Sequence, residues 1–250
     1  MRYIHSPGAA SAPRTTKFWS VGVVAAAAAA VTLGPVAPAG AALPRDHGSG
    51  ASTATLNVVH GIPGVTVNVC VDGANAIPNF TPGATVTGVS LPAGSHTFKI
   101  VAQSDTTCAT AGVLSATAPL KAGRNYTAVA ALDATGSPQL ALFTNNVSKT
   151  RKRTARLTVR HVAQAPAVNV WANGVRIVRG DNFTWGKSAT RSVPKGIYAA
   201  WVSLPRQYKP VIGPAVLALK AGTAYQVYAW GNGTAGYNLA VVAVPVGKRR

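Results

Sequence analysis

The sequence predicts an all-β chain made of two tandem antiparallel β-sandwich modules. Three observations predict it. Ala54–Gly73 and Ala155–Gly174 align without a gap at an offset of 101 residues, and Leu120–Thr127 answers Leu219–Gln226 at an offset of 99. Apolar residues alternate with polar ones over short runs, the period of a half-buried strand, and no segment carries an apolar stripe at helical spacing. Glycine, proline and Asp-Gly turn signals punctuate those runs at short intervals.

The resulting division is a leader at 1–41, a flexible lead-in at 42–53, module one at 54–147, a basic linker at 148–154, module two at 155–247 and a basic tail at 248–250. In the leader, Arg2, Arg14 and Lys17 precede or open an apolar run, Phe18–Leu33, which Gly34-Pro35 interrupts. Small residues then offer cleavage after Ala39 or Ala41. This is the pattern of a secretory signal. An uncleaved anchor is the alternative, because the run approaches a short membrane span, but the proline break and small residues favour removal. No cysteine follows that run closely and no apolar tail ends the chain, so release, or retention by binding alone, is the expectation.

In module one, Leu56, Val58 and His60 share one face of a first strand. After the Gly61–Gly64 turn, Val65, Val67, Val69 and Val71 share a face of the second, and Asp72-Gly73 signals a hairpin. Further strands are expected at 84–91, 95–102, 113–120, 126–132 and 139–143, about seven in all, which suits a Greek-key, immunoglobulin-like sandwich. Tyr126 and its counterpart Tyr225 each open a late strand after an Ala-Gly turn. That is the place of a tyrosine corner, whose phenol bonds backbone at the sandwich end; an ordinary strand tyrosine fits as well.

Cys70 and Cys108 are the two cysteines, and in an exported chain an even pair reads as a disulfide. Closing that loop contributes roughly 3–5 kcal/mol on the loop-entropy model. Alternation turns Cys70 away from the valine face, so the bridge pins the 103–112 loop over the outer side of the sheet. In the copy Trp171 replaces Cys70, and is expected to pack under the loop 203–213.

Charge is unevenly placed. The chain has 24 Lys+Arg against five acids, all Asp, for a net +19. Module one is neutral, whereas module two sets ten basic residues against Asp181 alone. Lys149, Arg151, Lys152 and Arg153 in the linker, Arg156 and Arg160 outward on the next strand, and Lys248, Arg249 and Arg250 in the tail form the candidate contact for a polyanion. The plain alternative for the linker is a solvated hinge. Trp171, Trp185, Trp201, Tyr208 and Trp230 lie among these charges; sugar or single-strand stacking is one use for such aromatics, core packing the other.

The residues argue against catalysis. Without glutamate, half the usual carboxylate repertoire for acid–base work is missing. His60 and His161 lie on the apolar side of their strands with no ligand or triad partner at spacing, so buried, hydrogen-bonded histidines are expected. Gly231-Asn-Gly-Thr-Ala-Gly236 matches a dinucleotide fingerprint, but a strand follows it where a helix is needed, so it reads as a hairpin loop. No catalytic, cofactor or metal residues are assigned.

The pattern of a strand ending in His60, then Pro63, Val67, Val69 and Gly73, repeated as His161, Pro166, Val168, Val170 and Gly174, resembles the bacterial secreted domain-of-unknown-function family 4397. The resemblance implies exported, β-rich modules at the bacterial surface and brings no activity. Asn68 and Asn169 stand where that family commonly has aspartate, so a role tied to the carboxylate does not carry over. The expected function is that of a non-enzymatic cell-envelope or extracellular binding module whose basic half contacts anionic cell-wall polymer or another polyanion. The alternative is a structural spacer.

Overall fold

The computed structural model describes residues 52–246; the leader and the tail residues Lys248, Arg249 and Arg250 lie outside them. Module one contains eight strands: β1 (Thr53–Gly61), β2 (Val67–Val71), β3 (Ala74–Phe80), β4 (Thr85–Pro92), β5 (Gly94–Ala102), β6 (Leu114–Leu120), β7 (Asn125–Leu132) and β8 (Pro138–Asn145). Module two repeats them as β9 (Thr154–His161), β10 (Asn169–Ala172), β11 (Val175–Val178), β12 (Ser188–Pro194), β13 (Gly196–Ser203), β14 (Pro210–Leu219), β15 (Thr223–Asn232) and β16 (Gly236–Pro245). The wiring is the same in both. One sheet runs β4-β1-β7-β8 and the other β3-β2-β5-β6; the second module has β12-β9-β15-β16 and β11-β10-β13-β14.

The all-β, two-module sandwich read from the repeat is the fold the chain adopts. Two details were not legible. Each module has an eighth strand, β3 or β11, at a sheet edge; Pro78 and the sparse apolar content of ANAIPNF hide β3 from a periodicity argument. Each module also contains one parallel pair, β1 with β7 and β9 with β15, inside otherwise antiparallel sheets.

Alternation builds each core. Leu56, Val58, Val67, Val69, Phe98, Ile100, Tyr126 and Ala128 fill the space between the sheets of module one. Leu157, Val159, Val168, Val170, Val202, Tyr225 and Val227 do so in module two. The hairpin at Asp72-Gly73 has positive φ at both residues (51° and 84°), as does Asn173-Gly174 (47° and 78°), the geometry that two-residue turns between twisted strands require. Tyr126 Oη accepts a hydrogen bond from Lys121 N at 3.1 Å, and Tyr225 Oη one from Lys220 N at 2.9 Å. Both are therefore corner tyrosines tying strand start to turn.

The Cys70–Cys108 disulfide is present, and with Val101 it forms a small apolar cluster on the outer side of the sheet. Trp171 takes that place in module two. Its indole N–H donates to Ser203 Oγ at 3.0 Å, and its ring stacks on Trp201 at 5.9 Å and meets Tyr208 at 4.7 Å.

The outer faces of the two β1-type sheets pack against one another. Val59, Val129 and Ala131 from module one meet Val162, Tyr228, Trp230, Ala240 and Val242 from module two in a third apolar cluster. The linker thus joins two packed bodies and is no hinge. At the seam, the Trp230 side chain lies over Gly61 and Gly83, where an added Cβ would come within 3.2 and 2.8 Å of it. The indole N–H of Trp185 donates to Leu132 O at 2.8 Å from the same end.

Candidate functional site

Strand register places the basic residues. β1 begins beside the end of β4 and the start of β7, and β8 ends beside the start of β7. The same is true of β9, β12, β15 and β16. Gly123 and Arg124 line a cleft together with Val244 and Pro245, so these ends of the two modules lie side by side. The β6–β7 turn, the linker, the β12–β13 turn and the β14–β15 turn are consequently neighbours at one end of the molecule. Lys195 N donates to Arg153 O, and Gly222 N to Thr154 O, across them. Lys121, Arg124, Lys149, Arg151, Lys152, Arg153, Lys195 and Lys220 are all exposed there.

The carboxylates are elsewhere or occupied. Asp105, Asp133 and Asp181 lie in connections at the opposite end. Asp105 is held well below the usual carboxylate range, chiefly by hydrogen bonds from Thr110, and Asp133 is lowered by Thr135. Each of those two serves its own loop. Asp72, at the basic end, accepts from His96 Nδ1 at 2.6 Å and from Thr97 N at 2.8 Å on the outer sheet of module one. Like charges gathered at one end, where Asp72 is the one acid among the described residues and is paired with His96, make a positive field that extends into solvent.

Two of the sequence-derived residues do not join this surface as expected. Arg156 is half-buried, and its guanidinium donates to Asn146 O and Ser148 O at 2.9 and 2.7 Å, so it braces the linker. Arg160 is a correction. It points outward from its own sandwich, as alternation required, but module one covers it, leaving 3% exposed. Its Nη1 donates to Asn145 Oδ1 at 2.8 Å and to Tyr228 Oη at 2.6 Å, and Nη2 donates to Thr144 O at 3.2 Å. The guanidinium also lies 4.5 Å from the Phe143 ring centroid. Burial lowers its pKa, with Tyr228 opposing that shift. A buried guanidinium held this way cannot reach a polymer.

Arg160 ends a polar chain through the seam. Asn145 Nδ2 donates to Asn125 Oδ1 at 2.7 Å and to Thr127 Oγ1 at 2.9 Å, and Asn57 Nδ2 donates to Asn125 Oδ1 at 3.0 Å. Asn57 Oδ1 accepts from Gly88 N, inside a β4 irregularity where Gly88 has φ 76°. Two open clefts of about 500 and 470 Å³ lie at this end and share Gly123, Arg124, Asn125 and Val147. Lys121, Arg124 and Lys220, which with Lys195 complete the basic end, were not singled out as ligand contacts in the sequence. They lie at turns of both modules, and only the seam brings them together.

The remaining residues of interest are structural. Asn68 Nδ2 donates to Gln103 O and Asp105 O at 3.0 and 2.9 Å while its Oδ1 accepts from Asn79 N at 2.8 Å. Asn169 repeats the arrangement with Leu204 O and Gly180 N. Both ends of the amide are in use, which a carboxylate could not match. His60 and His161 bond Val65 O and Pro166 O through Nε2, each at 2.9 Å. Gly231–Gly236 is the β15–β16 hairpin loop, with Asn232 Oδ1 accepting from Thr234 N and Ala235 N. Among the described residues no group of three or more His, Cys, Asp or Glu could hold a metal ion, and no helix is long and apolar enough to cross a membrane.

A family model described as a domain of unknown function (DUF4397) matches residues 54–171. That stretch is similar to the DUF4397 family. The DUF4397 match spans module one, the linker and the first two strands of module two. No curated protein matches the chain. Among solved structures, CBMbc (family CBM26) from Eubacterium rectale Amy13K, crystallised in complex with maltoheptaose, is similar at 7% identity and a TM-score of 0.24. That alignment covers 78% of this chain and 98% of the other. The Bacillus anthracis TIE protein is similar at 14% identity and a TM-score of 0.20, over 76% of this chain and 34% of its own. Neither likeness is close enough to speak to function.

Proposed function

We propose that this protein is an exported, non-enzymatic binding module that attaches to anionic cell-envelope polymer through its basic end. The observation that carries the reading is the convergence of eight exposed lysines and arginines, from both modules and the linker, on one end of the molecule. Three acids sit at the opposite end and Asp72 is occupied by His96. Lysines on flexible stems suit a polymer of repeated phosphate or carboxylate groups, because they follow charge and need no fixed geometry. Export is supported by the signal-like leader and by a disulfide, which persists in oxidising compartments.

The test is co-sedimentation of the purified protein with Gram-positive cell walls as salt rises from about 0.05 to about 0.5 M. A variant with Lys121, Arg124, Arg151, Lys152 and Arg153 changed to Gln is run beside it. The parent should bind at low salt and be released at high salt, with the variant weakened about tenfold or more at low salt. Equal binding by parent and variant would exclude this face. No binding at low salt would leave the structural spacer.

A further inference from the structure

We propose a second interaction surface, distinct from the basic end: the outer face of the β11-β10-β13-β14 sheet of module two docks on an anionic lipid bilayer. The outer faces of the other two sheets cover one another at the seam, which leaves one uncovered outer face per module among the described residues. Ala200, Val202, Leu217 and Leu219 point into the core of module two, so alternation turns Ile197, Ala199, Trp201, Val216 and Ala218 outward. Ile197 lies beside Ala218, and Ala199 beside Val216, across β13 and β14. Ile197 and Val216 are 73% and 74% exposed, and Tyr208, in the loop after β13, is 76% exposed.

The duplicated module shows that the fold does not require such a face. The same positions in module one hold Ser95, Thr97, Lys99, Thr117 and Pro119, with Ser95 beside Pro119 and Thr97 beside Thr117. The Thr97 and Thr117 hydroxyls are hydrogen-bonded at 3.1 Å where module two sets Ala199 against Val216. One register thus carries a polar face in one copy and an apolar face in the other. Single exposed apolar side chains are ordinary, whereas several gathered on one face mark an interaction surface.

Charge and chemistry select the occupant. Exposed cations border the face on three sides. Lys195 and Lys220 lie two residues from Ile197 and Ala218, Arg176 sits across Trp171 from Trp201, and Arg206 and Lys209 flank Tyr208. Module two sets only Asp181 against them. A second copy would bring like charges together, so the complementary partner is anionic. The aliphatic side chains at the centre offer no donor or acceptor, whereas specific protein interfaces carry directed hydrogen bonds. A bilayer needs none. It takes aliphatic side chains below its surface, Trp and Tyr at headgroup depth, and Lys and Arg against anionic headgroups.

The probes are vesicles of phosphatidylcholine alone and of phosphatidylcholine with an equal part of phosphatidylglycerol, floated with the chain from residue 42 onward at about 0.15 M salt. That chain keeps all sixteen strands and omits the leader, whose apolar run would bind lipid by itself. The parent should float with the anionic vesicles and not with phosphatidylcholine alone. Ile197→Ser with Val216→Thr, which installs the residues module one carries, should keep the fold and weaken flotation about tenfold. Arg206→Gln with Lys209→Gln, in an exposed loop, should weaken it about threefold or more. Equal flotation of the parent and the Ile197→Ser, Val216→Thr variant would overturn the proposal, because positive charge alone would then account for binding. No flotation of the parent would overturn it in favour of a protein partner. A dimer in solution that the same variant dissociates would overturn it in favour of a second copy.

Discussion

Replacing Tyr228 with Phe is a sharp test of the seam that joins the modules. Tyr228 is fully buried, with its ring 6.1 Å from Phe143 and its hydroxyl 2.6 Å from Arg160 Nη1. The substitution keeps the ring and removes one oxygen, so no cavity larger than that atom is made. Arg160 then retains only Asn145 Oδ1 and Thr144 O as acceptors, with no carboxylate to compensate its charge. Hydrogen bonds to charged groups contribute about 1.5–3 kcal/mol, and a buried cation cannot turn to water for a replacement. A loss of about 2 kcal/mol is expected, or about 4–8 °C in Tm for a unit of this size. Arg160→Met alone is a poor measure, because it also removes the desolvation cost of the cation and the opposing terms nearly cancel. The assay is therefore a double-mutant cycle of Tyr228→Phe and Arg160→Met by urea unfolding. A coupling energy above about 1 kcal/mol is expected. A coupling below about 0.5 kcal/mol would refute the claim that this bond holds the seam.

Two further outcomes follow from single sites. Asn68→Asp should cost about 3 kcal/mol at neutral pH, because a carboxylate would face the Gln103 and Asp105 carbonyls with no proton to donate. Its penalty should shrink as the pH falls and the acid regains a donor; a pH-independent penalty in urea unfolding would count against this account. The His96–Asp72 pair should make stability depend on pH through the histidine. His96 is raised, first by its bond to Pro92 O and then by Asp72, so its contribution is fully present below the ordinary histidine value. That contribution is lost as pH rises through the elevated folded value. His96→Tyr, which copies Tyr198 and its bond to Pro194 O at 2.9 Å, should remove this dependence above the ordinary histidine value. An unchanged stability-versus-pH curve in the variant would rule the pair out.

Much of the fold could be read along the chain because its determinants are local or repeated. Alternation at Leu56–His60, the Asp72-Gly73 turn, the corner tyrosines and the Cys70–Trp171 exchange each depend on near neighbours or on comparing two copies of one pattern. The candidate site was legible in part. Exposed linker charges such as Arg151 and Arg153 were evident from their setting, whereas Arg160 was misplaced by an argument that was locally correct. Alternation says which sheet face a side chain occupies; it does not say what covers that face.

The amino-acid order by itself determined the strands other than the edge strands β3 and β11, together with the duplicated sandwich, the disulfide and the excess of positive charge, since period-two burial and turn chemistry act over a few residues. Only the tertiary structure decided that the outer faces of the β1 and β9 sheets meet. That contact buries Val59 against Tyr228 and Trp230, takes Arg160 out of solvent and gathers Lys121, Arg124, Lys195 and Lys220 beside the linker. The reason is physical. An apolar face on a sheet records that it must be covered, but its covering partner is chosen by the shape and register of a surface assembled from strands far apart in the chain.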